Sequence, residues 1–350
     1  MKNEQQMLET VQDYYGRVLQ TKKDLQTSTC CSIDSIPRHL LPIVKEIHSE
    51  IHEKFYGCGS PIPSELQGRT VLDLGCGTGR DCYILSKLVG PFGQVIGVDM
   101  TDSQLEIARK HQNYHAEKFG FMRTNIRFLK GYIEDLESLG IETASVDVVI
   151  SNCVLNLSPN KKRAFSEIFR VLKPGGELYF SDIFADRRIP QALAEDPVLL
   201  GECLGGALYI EDFRRLLFQN NCPDYRTVSR SKLDITNADN ERKAGMIGFY
   251  SMTLRAFKLN LEDRCEDYGQ VAYYLGTLPE NPHHFMLDDH HFFKTGQPML
   301  ICSNTASMIS ETRYARYFKV IGDTSVHYGL FDCAPKSSSL NESPPTGACC

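Results

Sequence analysis

Thirteen cysteines stand in this 350-residue chain, at positions 30, 31, 58, 76, 82, 153, 203, 222, 265, 302, 333, 349 and 350. An odd number in a chain with no apolar leader argues against a disulfide framework. The absence of any CxxC pair argues against a zinc ribbon. Thiolates suit soft, thiophilic centres, and several of the thirteen must instead be small core hydrophobes. Four contexts stand apart. Cys153 lies at the end of the apolar run VDVVISNCVLNL, Cys203 in GECLGGALY, Cys58 in the Gly/Pro-rich GCGSPIP, and Cys30 and Cys31 side by side in the polar stretch 21–35.

A second chemistry-bearing segment is DLGCGTGRD (73–81). Asp73 leads into glycines 75, 77 and 79, a GxGxG in which Arg80 takes the place of the last glycine of a GxGxxG dinucleotide fingerprint. That departure lowers the case for a nicotinamide or flavin but not for a nucleoside. Glycines let backbone approach a ligand closely, and the first amides of a helix supply donors. Asp99 ends the next apolar run, where a carboxylate can accept both ribose hydroxyls, and Met100 beside it can pack on a purine.

The elements that must position these groups alternate. TVLDLG (70–75), QVIGVD (94–99), IRFLKG (126–131), VDVVISNCVLNL (146–157) and ELYFSD (177–182) read as buried strands. Helices are expected after the glycine loop, over 101–119 with Thr101 and Gln104 as a capping box, and over 161–172. Such alternation predicts a Rossmann-like, doubly wound, mostly parallel α/β sheet covered on both faces. Its ligands sit beyond the carboxyl ends of the strands, which brings Ile133, Glu134, Asn152 and Cys153 to one crevice. Amphipathic helices are expected over 4–20 and 38–56. Past residue 220 short strands dominate and suggest a smaller β-rich module. The expected organisation is 1–60 helical with a cysteine loop, 61–220 core, 221–333 C-terminal module, and 334–350 a disordered tail.

LDLGCGTG, the acidic VDM and LKPGGELYFSD, spread over residues 70–182, resemble the class I S-adenosylmethionine-dependent methyltransferases. The resemblance narrows with VQDYYGRVLQ, DLQTSTCC, KFYGCGSPIP, GYIEDL, SNCVLNL and LGECLGGALY, which are similar to segments of arsenite methyltransferases over roughly 10–260. It implies that Cys153 and Cys203, with Cys58, hold trivalent arsenic as substrate. It also implies that Cys58 and one of Cys30 and Cys31 complete a reductive cycle, and that Tyr56, Gly57 and the glycine loop touch S-adenosylmethionine. Arsenite would arrive as a thiol conjugate such as that of glutathione, and glutathione or thioredoxin would restore the protein thiols by exchange. Arsenic held by thiolates keeps a lone pair that can take a methyl group without a general base, so positioning supplies most of the acceleration.

Other features bound the reading. The net charge is −6, so a dedicated nucleic-acid binder is not expected. No apolar run approaches the roughly 18–20 residues of a membrane span, and the polar N-terminus points to the cytosol. A monomer is expected. Cys76 reads as packing, and Cys82, Cys222, Cys265, Cys302 and Cys333 as thiols without a role. His48 and His52 lack the HExxH pattern, and HHFMLDDHHFF (283–293) reads as a solvated hairpin. Two rivals remain: a methyltransferase of the same class acting on the carbon of a quinone or sterol, and a non-catalytic thiol protein that sequesters soft metals or senses redox state.

Overall fold

The computed structural model describes residues 4–14, 36–55, 57, 60–235 and 237–333. The first eight strands are β1 (Thr70–Leu74), β2 (Gln94–Asp99), β3 (Ile126–Lys130), β4 (Val146–Asn152), β5 (Leu172–Ala185), β6 (Leu208–Tyr209), β7 (Tyr225–Lys232) and β8 (Phe249–Phe257). They make one sheet in the order β3-β2-β1-β4-β5-β8-β7, with β6 beside β5. β1 to β6 pair in parallel, while β8 runs antiparallel to β5 and to β7. The central runs are apolar on both sides because both faces are covered. Tyr83, Leu85, Leu105 and Ala108 of the helices Arg80–Val89 and Asp102–Lys110 pack on one side. Phe165, Ile168, Phe213 and Leu216 of the helices Lys161–Val171 and Ile210–Phe218 pack on the other. The doubly wound α/β expectation holds.

Several local expectations are corrected. The strands expected to open the C-terminal module, β7 and β8, instead complete the main sheet, because β8 can pair along nine residues of β5. The helix expected over 38–56 is interrupted: a 3-10 turn at Arg38–Leu40 runs into Leu41–Val44, and a second helix, Ser49–Glu53, begins at His48, whose ring nitrogen accepts from the Glu50 amide. The helix expected over 101–119 divides at His111 into Asp102–Lys110 and Gln112–Phe119. Thr101 makes no side-chain cap; its amide donates to Asp99 Oδ1 at 2.8 Å. The helix Glu4–Asp13 starts as expected, and its continuation past Tyr14 lies outside the described residues. So does the tail, 334–350.

The C-terminal module contains β9 (Glu266–Asp267), β10 (Gln270–Tyr274), β11 (His284–Met286), β12 (Phe292–Lys294), β13 (Pro298–Ile301), β14 (Phe318–Ile321) and β15 (Gly329–Leu330). β13-β10-β14 form a small sheet, with β11–β12 and β15–β9 as two-stranded ladders. The hairpin β11–β12 is not solvated throughout: Asp288 and His291 between its strands are both buried and bonded at 2.8 Å. A buried charge cluster joins module and sheet. Arg255 of β8 meets Glu177 of β5 at 2.5 Å, donates to the Leu287 carbonyl and to the Tyr314 hydroxyl, each at 2.8 Å, and Arg313 closes on the other Glu177 oxygen. Among the described residues, no helix is long and apolar enough to cross a membrane.

Candidate active site

The strand order reverses between β1 and β4, and a crevice opens at their carboxyl ends. Its floor is the loop after β1. Gly75, Gly77 and Gly79 all have positive φ, at 70°, 52° and 86°. At Gly75 the requirement is also spatial, since a Cβ would come within 2.3 Å of the Val154 side chain. Gly79 caps the helix Arg80–Val89, so its first amides face the crevice edge.

Asp99 closes the second strand against this loop. Its Oδ2 accepts from the Gly77 amide at 2.9 Å and its Oδ1 from Thr101. Burial raises its pKa, and these amide bonds oppose the rise. Asp73 is buried, and burial with the neighbouring Asp81 carboxylate pushes its pKa well up; the Cys82 thiol donates to it at 3.2 Å. Asn152, at the end of β4, donates to Asp81 at 3.0 Å. Arg80, the residue that breaks the dinucleotide fingerprint, also binds Asp81, at 2.8 Å, and lies 3.3 Å over the Phe55 ring. Met100, Gly131, Ile133 and Glu134 line the next part of the wall, with Ser158 donating to Glu134. Gly57 is buried beside Asn152, where a Cβ would approach within 2.8 Å of its amide.

The sulfur end is built from strain. Cys153 and Cys203 have φ of 58° and 62°, the left-handed region that side chains seldom adopt. Cys153 turns the chain off β4 while its amide still bonds the Ser181 carbonyl of β5 at 2.8 Å. Cys203 follows the short helix Pro197–Gly201, and its Sγ donates to the Cys153 carbonyl at 3.2 Å. The two cysteines thus meet in one crevice although 50 residues separate them. Cys153 is held in a disulfide, so it is not a thiolate here. Cys76, Cys82, Cys203, Cys222, Cys265, Cys302 and Cys333 stand outside disulfides. Cys30, Cys31, Tyr56 and Cys58 lie outside the described residues. Burial pushes Cys76 up to about 11 and Cys222 up to about 12, in keeping with packing roles.

Sequence reasoning missed what braces the sulfur end. Asp182 is fully buried and accepts from the Asn156 side chain at 2.7 Å and from the Ile183 amide at 2.9 Å. Lys161 donates to the Asn156 and Ser158 carbonyls; burial pushes it down to about 8 against the opposing charges of Asp182, Glu134 and Cys203. It missed the roof as well. Leu8 and Val11 of the helix Glu4–Asp13 line the crevice, Gln12 donates to the Met100 carbonyl at 3.1 Å, and Tyr14 donates to the buried Glu202 at 2.9 Å. The apolar stripe of that helix announced a buried face but not its partner. His48 and His52 are accounted for structurally: His48 stacks on His111 at 3.8 Å, and His52 bonds the Val44 carbonyl.

Two expectations follow from this geometry. Burial raises Asp182 to about 7, while its hydrogen-bond donors hold it down. The folded protein therefore binds more protons than the unfolded chain between about pH 4 and 7, so the stabilising contribution is present at low pH and lost as pH rises through 7. Denaturant titrations should show Asp182→Asn gaining stability relative to wild type by a few kcal/mol, on the order of 3–4, across that window. A pH-independent difference between the two would contradict the assignment. Second, Asp99→Ala removes a charged acceptor worth about 1.5–3 kcal/mol. Calorimetry with S-adenosylmethionine should give an affinity lowered about 10²-fold. An affinity within about threefold of wild type would leave Asp99 as a brace for the loop only.

Fold and crevice together define a nucleoside-binding methyltransferase. A methyltransferase domain family model matches residues 65–221. The chain is 51% identical over 327 residues to an arsenite methyltransferase of Aquipseudomonas alcaligenes, covering 93% of this chain and 94% of that one. It is 41% identical over 315 residues to the human arsenite methyltransferase, covering 89% and 82%. Among solved structures it matches an arsenic(III) S-adenosylmethionine methyltransferase from Chlamydomonas reinhardtii at 50% identity and a TM-score of 0.82, covering 85% of this chain and 100% of that one. The chain belongs to the arsenite methyltransferase family.

Proposed function

We propose that this protein transfers methyl groups from S-adenosylmethionine to trivalent arsenic held by Cys153, Cys203 and Cys58, with protein thiols reducing arsenic between steps. The observation that carries the reading is the meeting of Cys153 and Cys203 beside the glycine loop and Asp99 in one crevice. The donor set fits the methyl donor: Asp99 for the ribose, Met100 and Ile133 for the purine, and the acidic Asp73, Asp81 and Glu134 for a ligand carrying ammonium and sulfonium charge. Bound there, S-adenosylmethionine supplies an electrophilic methyl group. The chain's own contribution is to hold the arsenic in line and to exclude water with the roof helix. No proton has to move at arsenic, which agrees with a sulfur end that offers a lysine and a buried carboxyl as braces.

The disulfide at Cys153 supports the reductive part of the reading. Methylation takes arsenic to the pentavalent state. Two thiols return it to the trivalent state by giving up two electrons and closing a disulfide, with one of Cys30 and Cys31 and Cys58 as the other participants. Glutathione or thioredoxin reopens that disulfide by exchange, and arsenite is delivered as its thiol conjugate. We place the reaction in the cytosol, where thiols are kept reduced; seven described cysteines stand outside disulfides.

The test is a product assay. Purified protein with arsenite, S-adenosylmethionine, glutathione and thioredoxin should yield methylated arsenic species by chromatography with elemental mass detection. The yield should vanish in Cys153→Ser. Full methylation by Cys153→Ser would sink the thiolate assignment. Methyl-donor binding without any arsenic product would transfer the chain to a carbon acceptor.

A further inference from the structure

The C-terminal module gathers three thiols that this reaction does not use. The sulfur atoms of Cys265, Cys302 and Cys333 all lie within 4.8 Å of one another. Three separate elements bring them together. Cys265 and Cys333 flank the antiparallel ladder of β9 and β15, in which the Phe331 amide donates to the Cys265 carbonyl at 2.8 Å. Cys302 follows β13 and stands at the N-cap of the helix Ser303–Ser310, so the positive end of that helix faces the sulfur cluster. Cys265 and Cys302 are buried, and Cys333 is half-buried, which leaves the cluster one side open to solvent.

The surroundings suit thiolate. Arg226 is buried with a guanidinium nitrogen 3.7 Å from the Cys302 sulfur, and the Thr305 hydroxyl lies 3.2 Å from it. Two carboxylates already face the same arginine, Asp224 at 2.8 Å and Asp288 at 3.8 Å. His291 is committed to Asp288 through Nδ1 and to Thr305 through Nε2.

We propose that Cys265, Cys302 and Cys333 form a second arsenic site, a three-thiolate pocket that binds trivalent arsenic outside the catalytic crevice. Arsenous acid and three thiols give a tris-thiolate and three waters, with no change of oxidation state and no other reactant. Two arguments favour arsenic over zinc. Structural zinc takes four protein ligands, and among the described residues no histidine, carboxylate or fourth cysteine completes the set. Three-coordinate arsenic is pyramidal and needs none. Charge points the same way: three thiolates neutralise a trivalent ion but leave a net negative charge on zinc. One arginine already shared by two carboxylates compensates such a charge poorly.

The test counts arsenic. Reduced full-length Cys153→Ser/Cys203→Ser protein is equilibrated with arsenite, gel-filtered and analysed for arsenic per chain. The same protein carrying Cys302→Ser is run beside it. The expected result is a loss of about one arsenic per chain on adding Cys302→Ser, with S-adenosylmethionine affinity unchanged as the check on folding. Equal arsenic content overturns the proposal. Alkylation of Cys333 in the wild-type protein, read by mass spectrometry, keeps the question answerable if Cys302→Ser fails to fold. Arsenite should slow it at least about 10-fold, whereas zinc chloride should not. Protection by zinc with none by arsenite would make this a zinc site and overturn the assignment.

Discussion

Replacing Cys203 by serine is expected to lower arsenic methylation by on the order of 10³-fold or more while S-adenosylmethionine affinity stays within about threefold. A hydroxyl can still donate to the Cys153 carbonyl, as the thiol does at 3.2 Å, so the local chain path is retained. The backbone at φ 62° is equally available to serine and cysteine. What is lost is a soft ligand. A hydroxyl neither ionises near neutral pH nor binds a thiophilic ion comparably. Under the proposed function one ligand fewer remains to hold arsenic in line, and positioning is the main source of acceleration in a transfer that needs no acid or base. The measurement is kcat and KM for arsenite in glutathione and thioredoxin, with calorimetry for the methyl donor. A loss confined to KM, with kcat intact, would mean that Cys203 gathers substrate but does not position it.

Replacing Glu177 by alanine is expected to cost about 3–5 kcal/mol of stability. Glu177 is wholly buried and is shared by Arg255 and Arg313, so its removal strands two guanidinium groups away from water. Arg255 retains the Leu287 carbonyl and Tyr314, which satisfy donors but not charge. The denaturant midpoint reads the loss directly. Adding Arg255→Met and Arg313→Met to the alanine variant should recover much of it, because the cluster then has no charge to desolvate. A change under about 1 kcal/mol in the single variant would mean that water reaches the cluster.

What the residues by themselves determined is local. Apolar runs ending in glycine or aspartate dictate buried parallel strands, and DLGCGTG dictates a tight turn, since left-handed backbone and close approach to Val154 leave room only for glycine at position 75. The position of Asp99 was legible for a related reason: it ends a strand beside a loop 22 residues away, a meeting that the βαβ unit builds. Tertiary structure decided the rest. That Cys153 and Cys203 touch depends on a turn off β4 meeting the segment after a distant helix, and no spacing rule encodes that meeting. Thr101 and Gln104 have the letters of a capping box, but the Asp99 carboxylate took the Thr101 amide first. β7 and β8 read as a new module because their patterns are local, while the nine-residue pairing with β5 that claims them is not. The roof helix, the Lys161–Asp182 brace and the Cys265–Cys302–Cys333 cluster belong to this second kind. Their members are far apart in the chain, and the free energy that gathers them comes from burying surfaces elsewhere.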